Sequence, residues 1–396
     1  MKVPNILWIV TTQWRAQAFG FAGDPNARTP CLDQLAAESV NFRQAVTPHP
    51  FGPFARAAML TGVPSPENGV RDYFDPLPEE SPTLARTLAA RGYATAFFGK
   101  WHLARRDPAA PLVGESHAKM IVPAAARGGF EFWEGFESGF LLNDPWLHGS
   151  RLPEPERFPG YQADVLGERA AAWMRAAAPQ AMGGRPWFCC LSLEPPHPPY
   201  DAPAAGVGAR DPQEIILAAN VPRGGEAEAR ARRELAGYYA HLEATDRAVG
   251  GLLAALPAGP PPLVLFTSVH GDMHGAHGLF RKGWPYEESI RVPLLVRGAG
   301  APGANDALVS LADLPEMMVG AIESGAISEP AGPGRRPSFQ LISMPSVVAR
   351  PHQCDRIWRG IRTPTRKLVL DADNRPWLYF DLAEDPFETR NLADSA

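Results

Sequence analysis

Residues able to do chemistry gather at a few points, each at the end of an apolar run. Thr11 to Arg15 follow NILWIV, Lys100 to His102 follow YATAFFG, His197 follows WFCCLSL, and His270 follows PLVLFTS. Lysines and histidines so placed can hold an anion and move protons as general acid and base. The stretch HPFGPFARAAMLTG, His49 to Gly62, adds Arg56 within an apolar run that stops at Thr61-Gly62, the pattern of a short helix beside a Gly-Pro turn. A helix start with free N–H groups beside an arginine suits an anion. No serine or cysteine lies between His49 and Gly62, so this is an anion site without a nucleophile. His197 stands in a PPHPPY loop whose prolines fix its backbone. HGDMHGAHG brings His270, His274 and His277 near Asp272 and invites a zinc reading, but its spacing is not that of a helical zinc motif. A histidine-containing polar loop over a pocket is the better reading, and no metal is expected. His49 reads as a loop residue.

These residues need elements to carry them. NILWIV, YATAFFG, WFCCLSL, PLVLFTS and VPLLVRG are nearly continuous in apolar residues, as strands buried on both faces are. CLDQLAAES, TLARTLAARG, VLGERAAAWMRAAA and the long run from Glu226 to Leu256 have helical periodicity. Strands alternating with helices predict an α/β fold, a mostly parallel sheet sandwiched by helices. Ligands in such sheets bind beyond the carboxyl ends of the strands, where the reactive residues fall. The expected division is a main α/β domain over 1–325, a Gly/Pro-rich linker over 326–350, and a small C-terminal antiparallel sheet over 351–396. That sheet is built from DRIWRGIRT, RKLVLDA and PWLYFDL.

A net charge of −5 argues against a general nucleic-acid or anionic-membrane partner, so any basic site is local. No apolar run reaches membrane-spanning length, and no cleavable leader is visible; a cytoplasmic protein is expected. The four cysteines lack zinc spacing and are too few for a disulfide framework; Cys189 and Cys190 read as buried strand residues. Whether the chain forms a homo-oligomer is left open.

From nearly one end to the other, the chain resembles the sulfatase family of the alkaline-phosphatase superfamily. PNILWIVTTQWRAQAFG is similar to the family's first strand and metal loop, ARAAMLTG to the helix after its nucleophile, and GYATAFFGKWHL to its lysine-histidine loop. LSLEPPHPPYDAP resembles its histidine loop, LVLFTSVHGDMHGAHGLFRKGWPYEESIRVPLLV its second metal segment, and WLYFDLAEDPFETRNLADS its C-terminal signature. The resemblance implies a Cys or Ser in Cys/Ser-x-Pro-x-Arg converted to formylglycine, and a divalent cation, usually calcium, on oxygen ligands. Carried over, the nucleophile position is Gly52, or Phe51 with a one-residue insertion. The metal-ligand positions are Thr12, Gln13 and Val269. Such a set cannot satisfy a hard cation, so neither formylglycine nor calcium is expected.

The basic side of the family site persists: Arg56, Lys100, His102, His197, His270 and Lys282 stand where the family contacts its anion. His274 replaces an apolar residue and is a candidate new contact. With its aspartate neighbour gone, His270 is expected to titrate near neutrality. Losing about two or three carboxylates together with a divalent ion changes the local charge by roughly zero to +1. The remaining cations are expected to need an anion among them, since unpaired buried charge is costly. The resulting expectation is an anion-binding enzyme for a sulfate-, phosphate- or carboxylate-bearing small molecule. It would work without metal by elimination, isomerisation or hydrolysis. His102, His197, His270, Lys100 and Lys282 would be catalytic; Arg56, Lys100, His102, His197, Lys282 and His274 would bind. The alternatives are a non-catalytic relative that senses or scaffolds, and a conventional metal-dependent sulfatase or phosphonate hydrolase. A cavity plugged by Phe51, Phe54 or Trp101 would favour the scaffold.

Overall fold

Each apolar run read as a strand is one. The computed structural model describes residues 3–176, 184–327, 338–348 and 353–393. In chain order the strands of the large sheet are β1 (Ile6–Thr11), β2 (Val40–Val46), β3 (Ala94–Lys100), β4 (Phe132–Phe136), β5 (Trp146–Gly149), β6 (Glu156–Arg157), β7 (Trp187–Ser192), β8 (Leu263–Ser268), β9 (Leu294–Arg297) and β10 (Gly303–Ser310). They order as β10-β2-β9-β8-β1-β7-β3-β4-β5-β6. The centre is parallel: β1 pairs with β7 and β8, and β3 pairs with β7 and β4. VPLLVRG forms β9, which runs antiparallel to both β8 and β2.

The helices are α1 (Pro30–Ala37), α2 (Gly52–Thr61), α3 (Leu84–Ala90), α4 (Glu115–Ala118), α5 (Gln162–Ala176), α6 (Glu226–Ala254), α7 (Glu287–Ile290) and α8 (Leu314–Ser324). Side chains alternate across a strand, and β1 shows what this does. Ile6, Trp8 and Val10 enter one core with residues of α2, α3 and α8, while Leu7 and Ile9 enter the other with residues of α1, α5 and α6. A strand covered on both sides cannot hold charge along its length. The polar residues are therefore pushed to its carboxyl end.

The C-terminal sheet has four strands rather than three: β11 (Gln340–Met344), β12 (Trp358–Arg362), β13 (Arg366–Leu370) and β14 (Pro376–Asp381), antiparallel in that order. β11 lies inside the stretch 326–350 read as linker, which corrects that boundary. The linker's residues 328–337 and 349–350 lie outside the described residues. The Gly/Pro-rich surroundings hid the strand, as did its reversed pattern, with polar Gln340 buried and apolar Leu341 exposed. The small sheet is locked to the large one. Gln340 donates to the Gln44 and Val309 carbonyls, and Arg362 and Lys367 converge on Glu287 of α7. The Trp358 indole donates to the carbonyl of Gly283 at 2.8 Å, next to Lys282. Among the described residues no helix is long and apolar enough to cross a membrane.

Candidate active site

Four adjacent parallel strands, β8, β1, β7 and β3, end on one side of the sheet, and their extensions form the floor of a cavity of about 940 Å³. Thr12, Lys100, His102, His197, His270 and Lys282 all line it, with Phe51 and Gly52 of the α2 entrance. Phe51, Tyr73, Phe140 and Val113 give it an apolar wall, and Arg210, Arg233 and Arg281 also line it. Phe54 and Trp101, the other two candidate plugs, are buried in a core instead. The cavity is open.

Two predicted contacts do not reach it. Arg56 lies beneath the floor, donating to the Lys100 carbonyl at 3.1 Å, Ser192 Oγ at 2.6 Å and Thr12 Oγ1 at 2.9 Å. It ties the ends of β3, β7 and β1 together. His274 is enclosed behind the wall between Tyr200 and Tyr238, with ring centroids 5.1 and 4.3 Å away. Burial pushes it down to about 3, with Asp272 opposing.

The expected cluster of unpaired cations is corrected by carboxylates, of which the sequence singled out only Asp272. Lys100 Nζ donates to Glu194 at 2.6 Å, with both side chains buried. Arg281 pairs with Glu234 at 2.5 Å, and Arg106, behind His102, with Glu137 at 3.3 Å. Asp272 accepts from the Tyr200 hydroxyl at 2.6 Å, from the Gln13 amide, and from the N–H groups of His274 and Arg281. Burial opposes its ionisation, but His274, Arg281 and those donors outweigh it and hold the carboxyl below its usual range. The signal for Glu194 was present, a carboxylate two residues beyond an apolar strand in LSLEPPH.

Lys282 differs from Lys100. Its Nζ meets neutral acceptors, Gln13 Oε1 at 2.7 Å and His197 Nε2 at 3.1 Å. Burial, then Lys100, push its pKa down to about 7, with Asp272 opposing. A lysine there loses charge near neutrality.

The histidines are held by one ring nitrogen each. A carbonyl oxygen can only accept, so a ring nitrogen facing one carries the proton. His197 Nδ1 lies 2.7 Å from the Pro198 carbonyl, and His270 Nδ1 lies 2.9 Å from that of Gly271. Nε2 is thereby an acceptor in both. In His197 it receives Lys282; in His270 it is buried with no hydrogen-bond partner among the described residues. The expectation that His270 titrates near neutrality is corrected: burial, then Lys282, hold it well below the usual histidine value, so the ring is neutral. Its loop has no slack. Gly271 N–H donates to Ser289 O at 2.9 Å, and a side chain on Gly271 would collide with the Glu288 carbonyl.

Gly52 opens α2 beneath His102. A Cβ at Gly52 would lie 2.8 Å from His102 Nδ1, so the imidazole occupies the space a side chain would need. The first-strand loop likewise does not fit a hard divalent cation. Gln13 Oε1 already accepts the Lys282 ammonium, Thr12 Oγ1 donates to Leu193 O, and Val269 offers no donor atom. Among the described residues no three His, Cys, Asp and Glu side chains are grouped to hold a metal.

The chain belongs to the sulfatase family of the alkaline-phosphatase superfamily: the family profile described as Sulfatase matches residues 4–324. A relative in Formosa agariphila, described as an ulvan-active sulfatase, is 33% identical over 98% of this chain and 77% of its own length. The choline-sulfatase of Rhizobium meliloti is 27% identical over 99% of this chain and 83% of its own. Among solved structures, the phosphonate monoester hydrolase of Agrobacterium radiobacter superposes with a TM-score of 0.75 at 22% identity, over 99% of this chain and 92% of that one. BT4656, solved with its substrate D-glucosamine-2-N,6-O-disulfate, superposes with a TM-score of 0.82 at 19% identity, over 99% and 93%.

Proposed function

We propose that this sulfatase-family chain binds an anionic small molecule, a sulfate, phosphate or carboxylate derivative, and acts on it by acid–base chemistry without formylglycine or a metal ion. The single observation that carries the reading is the open cavity whose floor combines two lysines with a neutral histidine presenting a bare acceptor nitrogen. Lys100 and Lys282 attract the anionic group and stabilise charge that grows on a departing oxygen. His270 Nε2 accepts a proton from the substrate. Gly52 offers no atom to attack sulfur or phosphorus, so the reading favours loss of an anionic leaving group or isomerisation over displacement. Hydrolysis by a histidine-activated water would proceed without the Lewis acid that usually supplies several kcal/mol. The relatives' sulfated substrates make a sulfate ester the first class to try.

Calorimetric titration with inorganic sulfate, inorganic phosphate and simple sulfate esters tests the reading. The wild type should bind at least one of them, and Lys100→Ala should weaken that binding tenfold or more. His270→Ala, which removes the acceptor nitrogen but no cation, should leave binding near wild type and lower ester turnover tenfold or more. Absence of binding to all, a Lys100→Ala variant that binds like wild type, or a His270→Ala variant that turns over ester like wild type overturns it. Binding without turnover of any ester would favour the sensor or scaffold alternative. Calcium addition and chelation should leave the melting temperature unchanged; a calcium-dependent rise would overturn metal independence.

A further inference from the structure

His102 is placed by more than its position after β3. Its backbone adopts a left-handed φ of 62°, sparsely populated for a residue with a side chain, and its N–H donates to the Glu137 carbonyl at 2.9 Å. The ring is thereby directed with Nδ1 over Gly52. The opposite nitrogen, Nε2, faces Arg106 Nη1 at 3.0 Å and, more distantly, the Tyr73 hydroxyl at 3.4 Å.

A guanidinium has five N–H donors and no acceptor. Nε2 must therefore present its lone pair, and in the neutral ring the proton is on Nδ1. The charged ring is excluded by the same contact, which would set N–H against N–H. Burial, then Arg106, Lys100, Arg56 and Lys282, keep His102 neutral, well below its ordinary value.

Arg106 is itself held. Its guanidinium pairs with Glu137 at 3.3 Å, donates to the Tyr73 carbonyl, and stacks over the Tyr73 and Phe74 rings at 4.2 and 5.1 Å. Glu137 in turn accepts the Ala104 N–H at 3.1 Å. Both side chains are almost wholly buried and do not line the cavity; burial pushes the Glu137 carboxyl up to about 7, with Arg106 opposing. Such a pair costs desolvation, and in return it sets one imidazole tautomer.

We propose that Arg106, backed by Glu137, is a positioning residue that fixes His102 as a neutral hydrogen-bond donor, with Nδ1–H aimed across Gly52 at the bound anionic group. This rests on the acid–base reading above and divides the labour within it. His102 polarises without exchanging its proton, since a neutral imidazole is too weak an acid to release one readily. His270, whose Nε2 is bare, is the ring that can take a proton.

The test is long-range proton–nitrogen correlation spectroscopy on the full chain with nitrogen-15-labelled histidine, with His102 assigned by loss of its signal in His102→Asn. His102 should show a protonated Nδ1 and an unprotonated Nε2 from pH 6 to 8. Arg106→Lys, which keeps a donor, should preserve that pattern. The double substitution Arg106→Met with Glu137→Gln, which removes both charges together, should transfer the proton wholly or partly to Nε2 and weaken binding of inorganic sulfate about tenfold. An Nε2-protonated His102 in the wild type overturns the proposal, as does an unchanged tautomer in the double variant. If the double variant does not fold, the wild-type spectrum decides alone. The tautomer is read without ligand, so failure of sulfate binding would overturn the proposed function and leave this assignment standing.

Discussion

At the scale of single residues, Gly52 and Lys282 distinguish this pocket, and each leads to a measurement. Introducing a hydroxyl with Gly52→Ser forces the new Cβ against the His102 ring. We expect a stability loss of about 1–3 kcal/mol, read from the urea midpoint, and no gain of sulfate-ester hydrolysis. Lys282 loses its proton near pH 7 rather than at its ordinary 10.5. Sulfate affinity should therefore be full below pH 6 and fall by up to about tenfold per pH unit above 7. Folding stability carries the opposite sign. Between pH 7 and 10.5 the unfolded chain holds the lysine proton and the native chain does not, so this group makes stability rise with pH. Calorimetric titrations and denaturation midpoints across that range check both signs. The residue types were legible in sequence because Lys100, His197 and His270 stand at strand ends. Burial was not: Arg56 and His274 read as contacts, yet both are enclosed away from the cavity.

At the scale of elements, β3 and β7 are joined at their carboxyl ends by the buried Lys100–Glu194 pair. Removing one partner strands the other charge in a dry site. Lys100→Met should cost about 3–5 kcal/mol, whereas Lys100→Met with Glu194→Leu should recover most of the loss; a double-mutant cycle in urea measures both. Equal losses in the single and double variants would show that packing, not charge, governs this joint. Apolar continuity revealed β1, β3, β7 and β8 because strands covered on both faces admit few polar residues. It could not reveal Glu194 as a counterion, since the pairing joins residues 94 positions apart. Nor could it give the direction of β9, whose apolar run looks the same either way.

For the whole molecule, the small sheet is attached through Glu287, which takes Arg362 at 2.8 Å and Lys367 at 3.2 Å. Burial opposes its ionisation, but Arg362 and Lys367 hold Glu287 below the usual carboxylate range. Glu287→Gln should therefore loosen that attachment. Amide hydrogen exchange should quicken in β11 to β14 by tenfold or more while β1 and β7 keep their protection. Uniform loss of protection would mean that the two sheets unfold as one unit. The architecture was largely visible in the order of strand and helix patterns. The fourth small strand was not, because β11 buries polar Gln340 and exposes apolar Leu341 within a Gly/Pro-rich stretch.

Gly52 also bears on how the protein can be made. On the proposed reading, in which Gly52 stands at the nucleophile position, there is neither sulfur nor hydroxyl for a host cell to oxidise, and that position needs no maturation step. Material from any expression host, or from a cell-free extract, should have the same intact mass and the same ligand affinity, with no co-expressed maturation enzyme.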